Sequence, residues 1–318
     1  MKARECSRCR SPLEVEDLRC AVCALPTPKL AQDERPSESV AQILRCNGCG
    51  AGVQYSAEVG APRCDFCGAV MELETPQDPV EQAERYLDFT VTDAQAKAAL
   101  KQWLGRKSFF RPSDLQSRAA VDGLKPLWWA GWMFDAAASV CWAADSEAGS
   151  RRSAWAPHSG QFTMEAENVV VPASVGLTAA ECRALVSRYD LQRSSDEPQG
   201  HPGATVEQFT LQRSAARKVI SDALEGVART RATPHIPGSQ VRKLHVSVLP
   251  SRLTTSHLAF PAFVLAYRYR DKLYRAVVHG QDPSCVLGKA PVSWAKIALV
   301  VLGAVALVAL IVLAVSAV

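Results

Sequence analysis

The run from Leu127 to Ala144, LWWAGWMFDAAASVCWAA, decides the fold of the chain's centre. Trp128, Ala130, Trp132, Phe134, Ala136, Ala138, Val140 and Trp142 fall at every second position. A period of two puts them on one face of a half-buried strand. Trp129, Gly131, Met133, Asp135, Ser139 and Cys141 share the other face, and Gly131 is a candidate bend. Tryptophans so placed can form a ligand platform, but filling a core is their ordinary use.

Similar patterns flank this strand. Upstream, Asp93 can cap a helix running to about Leu104, with Leu100, Trp103 and Leu104 on its apolar side. Downstream, Ser153–Val171 reads as one or two strands, and Thr178-x-x-Glu181 is a capping box opening a helix to about Arg188. Asp190–Gly203 is a polar loop, and Thr205–Leu211 has a strand pattern. An amphipathic helix follows from about Ser214 to Thr230. Its stripe is Ala216, Val219, Ile220, Ala223, Leu224 and Val227. Arg213, Arg217, Lys218, Arg229 and Arg231 read as its solvated face, with contact to anionic lipid or a partner as the second option. Val241–Leu249, Phe263–Arg270 and Lys272–His279 read as strands, the last two joined in a tight hairpin through Asp271. Residues 80–290 therefore form one mainly antiparallel α+β domain.

Eight of the 11 cysteines precede this domain as four Cys-x-x-Cys pairs. The first quartet is Cys6, Cys9, Cys20 and Cys23, its pairs ten residues apart; the second is Cys46, Cys49, Cys64 and Cys67, its pairs fourteen apart. Two such turns joined by a short hairpin supply the four soft ligands of tetrahedral zinc. Gly50 and Gly68 follow the second quartet's pairs and let the backbone turn back toward the thiolates, whereas Arg10 and Ala24 take those places in the first. The spacing implies two structural zinc ions, with no coordination position left for substrate or water. It leaves open whether the pairs combine sequentially or interleave. Four regular pairs after Met1-Lys2-Ala3-Arg4, with no apolar leader, argue against disulfides and for a reducing compartment. Cys141, Cys182 and Cys285 read as buried free thiols.

The expected organisation is a zinc ribbon over 1–26, a linker over 27–43, a second ribbon over 44–75, and the α+β domain over 80–290. Residues 294–318 complete the chain. Ile297–Val318 holds no charge and one hydroxyl, Ser316. As a helix it measures about 33 Å, against a hydrocarbon core of ~30 Å. With Trp294 and Lys296 at its border it reads as a C-terminal transmembrane anchor, and Lys289 and Lys296 favour a cytoplasmic bulk at the inner membrane.

The net charge of +4 hides a division. Residues 1–80 hold nine Lys/Arg and twelve Asp/Glu, whereas 81–290 hold 26 and 20. Two tetrathiolate zinc sites, each about −2 by ligand charge, bring the first region near −7. An acidic module suits phosphate backbones poorly. P-loop, Gly-x-Ser-x-Gly, His-Glu-x-x-His and Rossmann glycine runs are absent from the sequence.

Several segments together resemble a known group. A Cys-x-x-Cys-Gly ribbon leads to RYLDFTVTDAQAKAALKQWLGRKSFFRPSDL and LKPLWWAGWMFDA. YRYRDKLYRAVVHGQD and GKAPVSWAKI then precede the apolar segment. Over residues 40–318 this order resembles a bacterial family of zinc-ribbon, TFIIB-type-like membrane proteins, sometimes labelled primosomal helicase-like. Typical relatives read Asn-Gly-Gln-Thr-Gly where this chain has His279-Gly280-Gln281-Asp282-Pro283. The resemblance implies zinc, membrane attachment and a shared α+β domain, and lends no support to helicase activity.

The expected function is a non-enzymatic, tail-anchored adaptor whose zinc ribbons bind a protein partner at the cytoplasmic membrane face. A zinc-ribbon nucleic-acid binder is the alternative. An enzyme in the central domain is the third reading, with Asp135, His158, His279 and Asp282 as its candidate polar groups.

Overall fold

The computed structural model describes residues 4–14, 16–28, 43–48, 51–54, 63–64, 69–74, 81–105, 111–112, 114–115, 123–149, 154–201, 203–269, 272–293 and 296–305, and the structural statements below concern these. In chain order, β1 (Arg4–Glu5) and β2 (Pro12–Leu13) form a small antiparallel ribbon. The strands β3 (Ile43–Cys46), β4 (Gly52–Gln54) and β5 (Met71–Glu74) form a three-stranded sheet in the order β4-β3-β5. The body follows: β6 (Arg85–Leu87), α1 (Asp93–Gly105), β7 (Lys125–Ser146), β8 (Ala156–Pro172), α2 (Ala179–Val186) and β9 (Ser194–Ser195). It continues with β10 (Thr205–Val206), α3 (Arg213–Ala232), β11 (Val241–Tyr269), β12 (Lys272–His279) and β13 (Val286–Gly288).

One antiparallel pair organises the body. β7 and β11 run side by side from Val241↔Ser146 to Val264↔Lys125. At one end, β12, β13, β6, β9 and β10 widen the sheet, with β10 parallel to β7. At the other end the sheet narrows to an arm of three strands, β8-β7-β11. The alternation read from sequence holds along this arm: Trp132, Phe134, Ala136, Ala138, Val140, Trp142 and Ala144 are buried, and Ser139, Cys141 and Ala143 are exposed.

The tryptophans fill cores. Trp128 packs beneath α1 with Phe89, Leu100 and Phe263; Trp129 packs with Leu185 of α2 and Phe260; Trp132 lies on the face covered by α3. The indole N–H groups of these three find acceptors: Leu87 O at 2.9 Å, Tyr189 Oη at 3.1 Å and Leu211 O at 2.8 Å. Burial of such large rings stabilises the body only because those donors are satisfied. Gly131 is required by packing: a Cβ there would lie 2.9 Å from the Phe260 ring.

The helix signals fall near their expected places. Thr178 and Glu181 form both bonds of the capping box. The cap before α1 is Thr92, whose hydroxyl accepts from Gln95 N while Gln95 Oε1 accepts from Thr92 N, so Asp93 is already the first helical residue.

Three expectations about the fold need correction. The described residues are mostly β, with 41% in strands and 24% in helices, so the α+β description understates the sheet. The cause is β11, in which the expected strands beginning at Val241 and Phe263 are bridged by residues 250–262 into one strand of 29 residues, Val241–Tyr269. Pro250-Ser251-Arg252 looks like a turn, yet a register shift between Pro250 and Arg252 absorbs it, and β7 offers partners along the whole length. Second, Thr205–Leu211 contributes only the two residues of β10. Third, a C-terminal transmembrane helix is not supported: among the described residues no helix is long and apolar enough to cross a membrane. The described helix at this end covers residues 296–305. Residues 306–318 lie outside the described residues. The single-pass inner-membrane placement falls with it.

Candidate metal centre and adjoining groove

Cys6, Cys9, Cys20 and Cys23 converge, with all four sulfurs within 4.8 Å of one another. Two tight turns bring them there. Cys6 N donates to Ser11 O at 2.9 Å and Arg10 N to Cys6 O at 2.8 Å; Cys20 N donates to Leu25 O and Ala24 N to Cys20 O, both at 2.9 Å. Arg10 and Ala24 adopt φ of 60° and 57°, the left-handed conformation for which glycine is the easy choice. The turn therefore forms without glycine, at a modest backbone cost.

The donor set fits a tetrahedral soft metal. Cys6 Sγ lies 3.5 Å from Cys23 Sγ, and Cys9 Sγ 3.5 Å from Cys20 Sγ. Tetrahedral zinc with Zn–S near 2.3 Å implies sulfur–sulfur edges of ~3.8 Å, close to this spacing. Burial alone raises the Cys20 thiol, but the Ser11 hydroxyl, 3.0 Å away, and the Cys23 and Val22 amides bring it down to about 6. Ser11 also lowers Cys9. For Cys23 the Leu25 amide works downward, yet burial and the neighbouring sulfurs push it up to about 12. Thiolates packed this closely repel, and a divalent cation removes that repulsion. These four residues can hold one zinc ion, with no position left for a reacting water.

The ribbon is seated on the body by charge. Asp17 is fully buried; its Oδ2 accepts from Glu14 N at 2.9 Å and pairs with Arg217 of α3. Arg217 also meets Glu14 Oε2 at 2.7 Å. Arg217, read from sequence as part of a solvated face, is thus the anchor of the first ribbon. A groove of about 610 Å³ opens beside this contact, walled by Leu13 and Val22 of the ribbon, Lys218 and Ser221 of α3, and Pro250 and Leu253 of β11.

In the second quartet, Cys46 and Cys64 are buried, while Cys49 and Cys67 lie outside the described residues, as do Gly50 and Gly68. Cys46 N donates to Ala51 O at 2.9 Å, Cys64 N to Ala69 O at 2.8 Å, and Gly48 N approaches Cys46 Sγ at 3.3 Å. A second metal site is not shown among the described residues. Cys46, Ala51 and Cys64 share an apolar core with Leu127, Trp129, Leu177 and Cys182.

Of the other cysteines, Cys182 and Cys285 are buried, and burial raises both thiols, Cys182 to about 12. Cys141 is exposed, contrary to expectation, because the outer face of the arm is uncovered at that point.

The four polar candidates do not come together. Asp135 caps the Asn168 amide at 2.7 Å, and His158 lies opposite Ala144, nine residues or about 30 Å further along β7. His279 and Asp282 are neighbours committed to one turn. His279 Nδ1 accepts from Gln281 N at 2.9 Å and Asp282 N at 3.0 Å, and Nε2 faces Leu185 O at 3.2 Å. That geometry defines a neutral ring donating from Nε2, and burial lowers its pKa to about 4. Asp282 Oδ2 pairs with Arg188 at 2.6 Å and Oδ1 accepts from Ser284 N. Gly280 is needed there, because a Cβ would lie 2.5 Å from Pro261.

Sequence reasoning missed Asp17, Glu14 and Arg217. The two ends of the Asp17–Arg217 pair are 200 positions apart, and no local pattern links them. The one available signal is an acidic pair within a cysteine hairpin, a weak one. No protein-family model, curated protein or solved structure matches the chain, and its function has to be read from this geometry.

Proposed function

We propose that the chain is a non-enzymatic adaptor: zinc shapes the first ribbon, and the groove between ribbon, α3 and β11 receives a protein partner. The carrying observation is the closed four-cysteine cluster pinned by the buried Asp17–Arg217 pair, because a metal with no open position builds a surface and not a reaction centre. The groove wall has apolar side chains, with Val22 63% exposed at the tip of a knuckle, and charged groups at its rim. That mixture suits a peptide or protein surface. A second structural zinc at Cys46, Cys49, Cys64 and Cys67 belongs to the same proposal. Its support is the amide-to-carbonyl closure five residues on, shared by Cys6, Cys20, Cys46 and Cys64.

The test compares proximity crosslinking of the full chain with that of Cys6→Ser/Cys9→Ser and of Val22→Asp. Partners that depend on the ribbon fall at least tenfold in recovery with both variants. Equal recovery of every partner rejects the adaptor reading, and salt-sensitive RNA or DNA binding by the full chain at ~0.15 M salt replaces it with nucleic-acid recognition.

A further inference from the structure

The arm has two outer edges, and they are built differently. The outer edge of β11 is defended. Register shifts interrupt it between Arg242 and His245 and between Pro250 and Arg252, Lys243 has φ 54°, and Arg242, Lys243, Pro250 and Arg252 lie along it. Bulges, cations and proline are the usual means of keeping an edge from pairing with another chain. The outer edge of β8 has none of these over the nine residues from His158 to Ala166, between Pro157 and the register shift at Ala166 and Val169 where Asn168 has φ 55°. There the ladder to β7 is unbroken from Ala144↔His158 to Ala136↔Ala166, and the segment contains no Lys, Arg or Pro. Among the described residues no strand pairs with this edge.

The helix above leaves matching apolar surface on the same side. Arg229 of α3 donates to Leu244 O at 2.7 Å, and Lys218 and Ser221 face Pro250 and Leu253 across the groove, which places one flank of α3 over β11. Ala216, Ile220, Leu224 and Ala228 point into the arm's core. The opposite flank overhangs β8, and it carries Val219, Ala223 and Val227, all exposed, Val219 by 47% and Val227 by 43%. These three were part of the apolar stripe read from sequence, and the arm is too narrow to cover them. One more strand beyond β8 would do so, since each strand adds ~4.8 Å of width.

We propose that this added strand is β8 of a second copy, paired antiparallel about a two-fold axis. The strand can lie against its own copy without charge conflict, and its apolar inner face (Phe162, Met164, Ala166) continues the surface beneath the overhanging stripe. With the axis at Gln161, Phe162 or Thr163, Glu165 and Glu167 face neutral residues such as Pro157, Ser159 and Gln161 of the other copy, and no like charges oppose. The two arms become one continuous six-stranded sheet. Each α3 stripe then lies over the partner's β8, and the open hydrogen-bonding edges are both consumed.

Sedimentation equilibrium of the full chain tests this. The expected mass is twice the 34.4 kDa of one chain. Gln161→Lys/Thr163→Lys, two exposed outer-face positions, brings like charges together across the axis and weakens the dimer at least tenfold with an unchanged circular-dichroism spectrum. Val227→Glu does so independently through the stripe. Ser247→Lys/Leu249→Lys, on β11, leaves the dimer intact. A wild-type mass of one chain up to about 100 μM overturns the proposal, as does a dimer indifferent to the β8 lysines or one broken by the β11 lysines.

Discussion

The two cysteine ribbons meet the body in opposite ways. The second contributes Cys46, Ala51 and Cys64 to an apolar core shared with Leu127, Trp129 and Leu177, and Gln208 N donates to Gly52 O at 2.9 Å. The first touches α3 through Arg217, Asp17 and Glu14, beside a groove. Apolar burial is non-directional and adds up over area, so the second ribbon unfolds with the body. A buried ion pair depends on both partners, and losing one strands the other, so the first ribbon can detach as a unit. One ribbon therefore completes a core, and the other is held by an ion pair beside a groove.

Trp129→Ala should break the comparison most forcefully. It empties the seat shared by the second ribbon and the sheet, at a cost of about 3–5 kcal/mol. Guanidinium unfolding reads the loss, and hydrogen exchange at Cys46 and Gly48 should rise with it. Protection at Asp17 and Thr27 should change only as far as the whole body does.

Arg217→Met reverses the pattern. It leaves Asp17 buried without its cation and costs the docked ribbon about 3 kcal/mol. Crosslinking between the first ribbon and α3 is lost while the body's unfolding midpoint stays in place, and the Thr27 amide, bonded within the ribbon to Leu18 O at 2.9 Å, keeps its protection.

Acid separates the regions by a different route. His279 is buried neutral with its pKa lowered from 6.5 to about 4, so the unfolded chain binds the proton first. Its stabilising contribution is complete above pH 6.5 and drains away as pH falls toward 4, amounting to about 2 kcal/mol lost at pH 5. Urea unfolding at pH 7.5 and pH 5 measures this, and His279→Gln should flatten the difference.

The smallest effect belongs to Thr178→Ala. Removing the cap of α2, which carries Cys182 and Leu185 into the second ribbon's core, costs about 1 kcal/mol. Thermal unfolding should shift slightly, with the first ribbon untouched.

What the sequence made legible was local. The Thr178–Glu181 box, the alternation from Leu127 to Ala144 and the spacing from Cys6 to Cys23 each depend on residues close in the chain, and each has its counterpart in the structure. What escaped was set by distant partners. Residues 250–262 became strand because β7 ran alongside, Arg217 turned inward because Asp17 waited 200 positions away, and Val219 and Val227 stayed exposed because the arm beneath them is only three strands wide. Cys141 illustrates the same point, since an alternating pattern names the two faces of a strand without saying which of them is covered. The apolar composition of Ile297–Val318 suggested a membrane span, and among the described residues no helix is long and apolar enough to cross a membrane.

Zinc-edge X-ray absorption on the purified full chain, combined with metal counting, decides whether the four cysteines close around a metal. The expected result is an all-sulfur shell at about 2.3 Å, two ions per chain, and one ion with the same shell in Cys6→Ser/Cys9→Ser. A nitrogen or oxygen ligand in the shell, or a variant that retains as much zinc as the wild type, would contradict a closed metal centre at Cys6, Cys9, Cys20 and Cys23.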